Sequence, residues 1–288
     1  MCVAAAALVF AACLNILFDP FGSFAIPKQG RFEHSARVPI LMYHHFGDEG
    51  SPEVTISADA FESHIRSLRD AGYTAITFAQ LRDYASSGAP LPERPILITI
   101  DDGYMSVYDI AYPILRKYGM TATVFIIGTF HGKSLYRDNP YWHIIPHFGD
   151  AEAREMSVSG VLSIQSHSYG MHQYEPYEET YREGVLRING ESRAEYAEAF
   201  MSDFDLAAEQ IENATGARPF VYSYPFGKNN RLTESLLRSM GVSITLTTAA
   251  GVSTVVRNAP RTLFRLNRLA VSGDMTADEL LAMMQNAL

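Results

Sequence analysis

The chain has 288 residues, of which 47% are hydrophobic and 19% charged, so it suits one large domain with a substantial core and is neither disordered nor of low complexity. It carries 23 Lys and Arg against 32 Asp and Glu, a formal net charge of -9. Because no basic run overrides this acidic balance, we predict no nucleic-acid partner.

The N-terminal segment comes first in chain order. Residues 1–18 contain no charged side chain, and a helix of that length, rising about 1.5 Å per residue, reaches roughly 27 Å, close to the thickness of a bilayer core. We predict a signal peptide or membrane anchor, with a buried N-terminal helix as the alternative. Residues 19–37 mix Gly, Pro and polar side chains and are expected to form a linker. This organisation predicts an extracytoplasmic protein, secreted or attached through residues 1–18 to the membrane of a bacterial cell.

Both cysteines, Cys2 and Cys13, lie in this first segment. The rest of the chain therefore offers no disulfide, no cysteine metal ligand and no cysteine nucleophile. The run Phe10-Ala11-Ala12-Cys13 loosely resembles a bacterial lipoprotein cleavage box, which makes lipidation at Cys13 a minor option. The residues after Cys13 stay apolar, which weakens that option.

From Val38 onward, short apolar runs alternate with helical patterns. The predicted strands are 39–43, 74–77, 95–100, 121–127, 161–165, 219–224 and 242–247. The predicted helices are 57–71, 78–86, 107–118, 193–213, 231–240 and a last one capped by Thr276. This alternation predicts a parallel α/β architecture over residues 38–288. A barrel fits better than an open sheet because no Gly-rich phosphate loop follows the first strand, and a barrel's active site forms where its strands end.

Two adjacent carboxylates, Asp101 and Asp102, follow the apolar strand 95–100 and precede Gly103. Successive side chains of an extended backbone point in opposite directions, so one carboxylate can bind a metal while the other faces a substrate. Taken alone, the three residues are more simply explained as an Asx turn or a helix N-cap.

His167 and His172 follow the predicted strand 161–165 and are five residues apart. On an α-helix this spacing separates two side chains by about 140°, so the histidines can share an ion only from a loop. Two histidines and one carboxylate form a standard catalytic zinc site with open positions for water and substrate. The plainer alternative is a pair of solvated loop histidines.

Three further features stand at predicted strand ends or in a loop. His44 follows the first strand and is a candidate general acid, or else a hydrogen-bonded structural histidine. The run Tyr224-Pro225-Phe226-Gly227, taken alone, indicates an aromatic-proline turn. The aromatic stretch 131–150 suits either stacking on sugar rings or packing of its own loop. GxSxG, HExxH, P-loop and GxGxxG motifs are absent, which leaves the chemistries they serve without support.

Taken together, these residues resemble the polysaccharide deacetylase family of metal-dependent carbohydrate esterases. The segment Gln165 to His172 resembles the family's second motif and has the five-residue histidine spacing of its poly-N-acetylglucosamine deacetylase branch. The similarity extends from about Val38 to Met284. The matching segments are Leu41-Met42-Tyr43-His44, Thr99-Ile100-Asp101-Asp102-Gly103, Gln165 to His172 and Tyr224-Pro225-Phe226-Gly227.

The resemblance implies a distorted (β/α)7-type barrel that hydrolyses the N-acetyl, or sometimes O-acetyl, groups of sugar polymers. By motif position, Asp102, His167 and His172 would bind a divalent metal. That metal is usually Zn2+ in this family, and the same ligands also accept Co2+, Ni2+ or Mn2+. Asp101 would be the general base, and the backbone N–H of Phe226 would help to hold the tetrahedral oxyanion.

Two positions depart from the better-known members of that family. Those members have an arginine where this chain has Ser223, and a late histidine where this chain has none after Leu246. The related branch supplies substitutes for both. Arg268 resembles its late arginine and would pair with Asp101, and His44 resembles its early histidine and would be the general acid.

The favoured interpretation is an extracytoplasmic, metal-dependent enzyme that removes N-acetyl groups from an N-acetylated polysaccharide or a peptidoglycan glycan. A sugar-binding pseudoenzyme with the same fold is the alternative, favoured by the missing late histidine. The complete carboxylate and histidine set favours the enzyme, because a binding module needs no base beside a metal triad. Hydrolysis of another small amide or ester also stays open.

Overall fold

In the computed structural model, the described residues are 34–173 and 181–288. The predicted signal peptide or anchor at 1–18, with Cys13, lies outside the described residues, and so does most of the predicted linker. Within the described part of the chain, no helix is both long and apolar enough to cross a membrane.

Twelve strands occur in the described residues. They are β1 (Ser35–Arg37), β2 (Ile40–Tyr43), β3 (His45–Phe46), β4 (Thr55–Ile56), β5 (Thr74–Ala75), β6 (Pro95–Asp102), β7 (Ala122–Ile126), β8 (Leu162–Ser166), β9 (Val221–Ser223), β10 (Ile244–Ala250), β11 (Thr254–Val256) and β12 (Leu266–Ala270). All seven predicted strands are confirmed, with ends that differ by up to three residues.

Seven of the twelve strands of the described residues close into a parallel barrel. Their order is β2-β12-β10-β9-β8-β7-β6, and β6 pairs again with β2. β5 pairs only with the first two residues of β6 and extends the sheet outside the ring. The predicted α/β architecture and the (β/α)7-type barrel are therefore confirmed.

The barrel is distorted at the joint between β8 and β9. These strands share a single register pair, Ser166 with Tyr222. Below it, the side-chain Oε1 of Gln165 accepts the backbone N–H groups of Phe220 and Val221, both at 2.9 Å. A side chain thus takes the place of backbone hydrogen bonds at this joint.

The α-helices of the described residues lie between and after the barrel strands. They are α1 (Ala58–Asp70), α2 (Phe78–Ser87), α3 (Tyr112–Tyr118), α4 (Asp150–Val158), α5 (Arg193–Thr215), α6 (Arg231–Ser239) and α7 (Ala277–Ala287). The side chains of Ser57 and Thr276 cap α1 and α7, and the cap at Thr276 is the predicted one. Both accept a backbone N–H from the first turn, which would otherwise have no partner.

The predicted helix 107–118 differs in its first half. Residues Val107–Ala111 form a π-helical turn, and α3 begins only at Tyr112. Pro113, which has no backbone N–H to donate, closely follows this π-helical turn.

The linker prediction for residues 19–37 is wrong at its last residues. Ser35–Arg37 form β1, which pairs antiparallel with Thr254–Val256 of β11. The pairing partner lies more than 200 residues away, so the local Gly, Pro and polar composition gives no sign of it.

Two hydrophobic clusters mark the two faces of the barrel sheet. In β6, Ile96, Ile98 and Ile100 belong to the cluster that includes residues of α1 and α3. Leu97 belongs to a second cluster, whose members from other strands include Ile40, Val221, Leu246 and Leu266. A cluster drawn from strands all round the sheet marks the inside of the barrel.

Candidate metal centre and active site

The polar site stands on top of the inner cluster, at the carboxyl ends of the strands. Side chains alternate along a strand, so Thr99 and Asp101 follow Leu97 on the inner face, and Arg268 follows Leu266. Asp101 and Arg268 are 2% and 1% exposed. The alternation that fills the barrel with apolar side chains therefore brings these two charges together at its mouth.

Asp102 lies where the chain leaves β6. Its φ is +75°, and Gly103 follows at +88°. A Cβ on Gly103 would lie 2.9 Å from Cγ2 of Ile126, so only glycine fits the turn. A positive φ is uncommon for a non-glycine residue and is concentrated at functional sites. This turn lets two successive carboxylates face the same site.

Asp102, His167 and His172 form a buried triad. Oδ1 of Asp102 lies 3.6 Å from Nε2 of His167 and 3.7 Å from Nε2 of His172. The three ligand atoms lie within 4.8 Å of one another. Among the described residues, Oδ1 of Asp102 is a buried acceptor without a hydrogen-bond donor.

The orientation of His167 fits metal binding. Its Nδ1 lies 2.8 Å from the carbonyl oxygen of Ser223, and a carbonyl only accepts, so Nδ1 donates and Nε2 presents its lone pair to the triad. A hydrogen bond of this kind, made by the ring nitrogen that does not face the metal, fixes the tautomer of metal-binding histidines. The unpartnered Asp102 oxygen and the two imidazoles together fit a divalent metal such as Zn2+.

His172 completes the triad from the loop after β8. Burial lowers its pKa to about 4, so the ring is neutral near pH 7, as a ligand must be. Its ring centroid lies 4.3 Å from that of Phe226. His167 and His172 therefore lie in a loop, which is the condition under which histidines five positions apart can share an ion.

Asp101 forms a bidentate ion pair with Arg268. Nη1 and Nη2 of Arg268 donate to Oδ1 and Oδ2 of Asp101, each at 2.7 Å. Nε of Arg268 donates to the carbonyl oxygen of Thr247 at 2.9 Å. Burial by itself would raise the pKa of Asp101, but the charge and hydrogen bonds of Arg268 outweigh it and hold that pKa well below its usual range. Asp101 thus stays ionised at neutral pH.

His44 lies at the same mouth and is half-buried. Burial would raise the pKa of Asp102, but the charges of nearby histidines, His44 among them, hold it below its ordinary value. His44 acts in the same direction on Asp101. Its electrostatic influence therefore reaches both carboxylates.

His147, which belongs to the predicted aromatic loop and was given no role in the sequence analysis, lies near enough to the site to be influenced by the charge of Asp102. The ring of His147 is buried and lies 4.7 Å from the ring of Tyr104 and 5.2 Å from that of Phe130. Burial lowers the pKa of His147 to about 4, against the opposing charge of Asp102. His131 instead faces Asp150, at 2.8 Å.

The predicted aromatic loop is largely a packing element. Phe130 and Tyr136 are buried together with Ile127, and Trp142 and Ile144 pack against them. Tyr141 is the exception, at 87% exposed. The packing explanation for this stretch therefore covers most of its aromatic residues.

Phe226 has a strained backbone beside the triad. Its φ is +54°, and its side chain is 40% exposed. Within this turn, the N–H of Gly227 donates to Tyr224 O at 2.8 Å and the N–H of Lys228 to Pro225 O at 3.0 Å. Gly227 approaches so closely that a Cβ there would lie 2.9 Å from the backbone N of Thr248.

The closed parallel barrel carries two carboxylates and two histidines at its mouth, an arrangement that suits metal-assisted hydrolysis. The sequence profile of the polysaccharide deacetylase family matches residues 88–245, more than half of the chain. The chain belongs to that family, and it is an enzyme that removes acetyl groups from a polysaccharide.

Individual relatives agree with this assignment. The protein YxkH of Bacillus subtilis (strain 168) is 29% identical over 244 residues, 85% of this chain and 75% of that protein. The poly-beta-1,6-N-acetyl-D-glucosamine N-deacetylase of Escherichia coli (strain K12) is 24% identical over 84% of this chain, which spans only 40% of that enzyme. The BpsB deacetylase domain from Bordetella bronchiseptica is 26% identical with a TM-score of 0.64, over 82% of this chain and 96% of the domain.

Proposed function

We propose that the protein is a metal-dependent N-deacetylase of an N-acetylated polysaccharide of the poly-N-acetylglucosamine type or of a peptidoglycan glycan. The observation that carries the proposal is the position of Asp101, ionised by Arg268, beside the triad of Asp102, His167 and His172. A sugar-binding protein gains nothing from a second buried carboxylate at this place, because burying it costs free energy.

Asp102, His167 and His172 would hold the metal, with Zn2+ as the family's usual ion and Co2+, Ni2+ or Mn2+ as ions that the same ligands accept. When bound, a divalent ion acts as a Lewis acid on the acetyl carbonyl and favours ionisation of a water. The side chains of this protein then have to orient the water and manage its proton.

Asp101 is the proposed general base. Both of its oxygens are fixed by Arg268, and Oδ2 lies 3.8 Å from Nε2 of His167. A carboxylate at this position can take the proton of a water that attacks the acetyl carbon. The bidentate ion pair prevents the base from rotating away during the reaction.

The backbone N–H of Phe226 is the proposed oxyanion donor. The positive φ of Phe226 and the close approach of Gly227 fix the orientation of this turn next to His172. A preorganised N–H of this kind stabilises the negative oxygen of the tetrahedral intermediate.

His44 is the proposed general acid, which protonates the departing sugar amine. His147 is the competing group, but burial keeps its pKa at about 4, so it carries little proton near pH 7. His44 as a whole is only half-buried, although its Nδ1 is enclosed.

The proposed substrate is a neutral glycan, because an acidic protein gains no attraction to an anionic wall. We further propose that residues 1–18 are a signal peptide or membrane anchor, and that the enzyme acts outside the cytoplasm at the bacterial cell envelope. The name of the Escherichia coli relative supports the glycan class.

Acetate release tests the proposal directly. The protein is incubated with acetylated oligomers of poly-N-acetylglucosamine, chitin and peptidoglycan, with and without a chelator. We expect acetate from at least one glycan, its loss with chelator and its recovery with Zn2+. Tight glycan binding without any acetate would identify a pseudoenzyme, and release only from small esters would identify another hydrolase.

A further inference from the structure

We propose that Asp203, in the middle of α5, is a positioning residue for the two histidine ligands of the site. This inference rests on the metal centre proposed above. Oδ2 of Asp203 accepts the backbone N–H of Tyr169 at 2.9 Å, and Oδ1 accepts that of Gly170 at 2.7 Å. Both amides belong to the short loop between His167 and His172.

The loop needs such a contact because of its shape. The histidines are five positions apart, with four residues between them, and Ser168 has a φ of +75°, so the backbone turns between them. A turn of this kind directs consecutive N–H groups away from the regular hydrogen bonds of a strand or helix. A carboxylate offers a separate oxygen to each N–H, whereas a hydroxyl or an amide offers one oxygen for both.

The opposite side of the loop is held as well. The N–H of Gly128 donates to Ser168 O at 3.0 Å, and the N–H of Thr129 donates to Tyr169 O at 2.9 Å. A Cβ on Gly128 would lie 2.3 Å from the ring of Tyr169, so the two segments touch. Asp203 therefore closes the second half of a clamp that fixes the backbone of residues 168–170.

The burial of Asp203 points to a purpose other than stability. The residue is 9% exposed and lies on the apolar face of α5, between Phe200 and Phe204 in sequence, both of which are fully buried. Burial raises the pKa of Asp203 to about 6, although the backbone amides of Gly170, Tyr169 and Met171 and the charge of Arg182 act in the opposite direction. The ionised carboxylate therefore lowers the stability of the folded protein. A buried charge that destabilises the fold and yet makes directed hydrogen bonds is expected to serve a function.

A purely structural role is the competing explanation. In that case, loss of the carboxylate would loosen the loop and lower the stability of the protein. The two histidines would still bind the metal with the affinity of the wild type. In a positioning role, by contrast, metal affinity itself should fall; loss of a group that orients metal ligands directly typically costs about 10–100-fold, and we expect an effect of that size from the loop that carries both histidines.

The test compares Asp203→Asn, which keeps the volume but offers a single acceptor oxygen, with Asp203→Ala and Asp203→Glu. Asp205→Asn is the matched control, because Asp205 lies on the exposed side of the same helix and pairs with Arg218. Metal dissociation constants come from competition with a chromophoric chelator. The visible absorption of the Co2+-loaded proteins reports the geometry of the ligands, and circular dichroism reports the fold.

We expect Asp203→Asn to bind Zn2+ and Co2+ about 10–100-fold more weakly than the wild type, with an altered Co2+ spectrum and a native fold. Asp203→Glu should recover part of the affinity, and Asp205→Asn should match the wild type. Wild-type affinity and an unchanged spectrum in folded Asp203→Asn would overturn the positioning role. Failure of the wild type itself to bind metal would instead overturn the metal centre, and this role with it.

Discussion

The guanidinium of Arg268 holds both carboxylate oxygens of Asp101, each at 2.7 Å, in a place where neither side chain is more than 2% exposed. The arginine comes from β12 and the aspartate from β6, so closure of the barrel creates the pair. The hydroxyl of Ser223 lies 3.5 Å from Oδ2 of Asp101. We predict that Arg268 takes the part that an arginine at the position of Ser223 has in the better-known family members.

The first prediction concerns the triad. His167→Ala and His172→Ala should each weaken metal binding by more than the roughly 10–100-fold that is typical of outer-shell changes, and activity should fall in parallel. His34→Ala, an exposed histidine at the start of the described residues, is the control. Titration with Zn2+ and acetate assays provide the readouts. One equivalent of tightly held metal in both triad variants would show that the ligands are wrongly assigned.

The second prediction concerns the base. Asp101→Asn keeps the shape of the side chain but removes its basicity, so turnover should fall by about 100-fold or more. The fold and the bound metal should be retained, since Asp102, His167 and His172 are unchanged. Metal content and steady-state kinetics are measured on the same preparation. Near wild-type deacetylation would remove Asp101 from the mechanism.

The third prediction concerns stability. Arg268→Gln leaves Asp101 as a buried, unpaired carboxylate, which should lower the free energy of unfolding by about 3–5 kcal/mol. In the double variant Asp101→Asn/Arg268→Gln, part of this loss should return, because no buried charge remains. Urea denaturation measures both. An Arg268→Gln variant as stable as the wild type would mean that Asp101 finds another partner or takes up a proton.

The fourth prediction concerns the acid. His44→Ala should lose most activity on N-acetyl substrates and keep its metal, because a sugar amine leaves poorly without a proton. A nitrophenyl acetate, whose leaving group needs none, should be affected much less. His147→Ala is the matched control. Equal losses on both substrates, or an active His44→Ala beside an inactive His147→Ala, would move the role away from His44.

The fifth prediction concerns pH. Burial raises the pKa of Asp203 from 3.8 to about 6, so the folded state holds this proton more tightly than the unfolded state. The resulting stabilisation is complete below pH 3.8 and is lost as the pH rises through 6. Between about pH 4 and about pH 7, metal-free wild type should therefore lose on the order of 2 kcal/mol relative to Asp203→Asn.

Urea denaturation with a chelator at several pH values provides the measurement for Asp203. Taking the difference between the two proteins removes the titration of groups such as His172 and His147, which is common to both. A difference that stays constant, or that favours the wild type at higher pH, would contradict the raised pKa.

The sequence predicted six of the seven barrel strands because each contains a short apolar run, and it predicted polar residues at the ends of several of them. It missed β12, because Asn267 and Arg268 interrupt the apolar pattern over Leu266–Ala270. It also missed α4, in which only Ala153 and Met156 are buried. Both elements are stabilised by contacts that a local pattern does not show.

In the site, the roles suggested by motif resemblance describe residues that the fold brings together, yet those roles stay predictions until the variants are tested. Asp203 could have been singled out from the sequence, since a lone aspartate between Phe200 and Phe204 on an apolar helix face is unusual. His147 was not, because its burial depends on the path of a long loop. Its neighbours Tyr104 and Phe130 come from two separate segments.

The joint between β8 and β9 has a consequence for the shape of the substrate cleft. His167 follows one of these strands, Phe226 follows the other, and backbone pairing hardly connects the two. Gln165 bridges the strands from below, and the ring of His167 itself bridges them above, through its bond to Ser223 O. The distance between His167, a proposed metal ligand, and Phe226, the proposed oxyanion donor, therefore depends on the lengths of two side chains and not on the fixed spacing of a β-ladder.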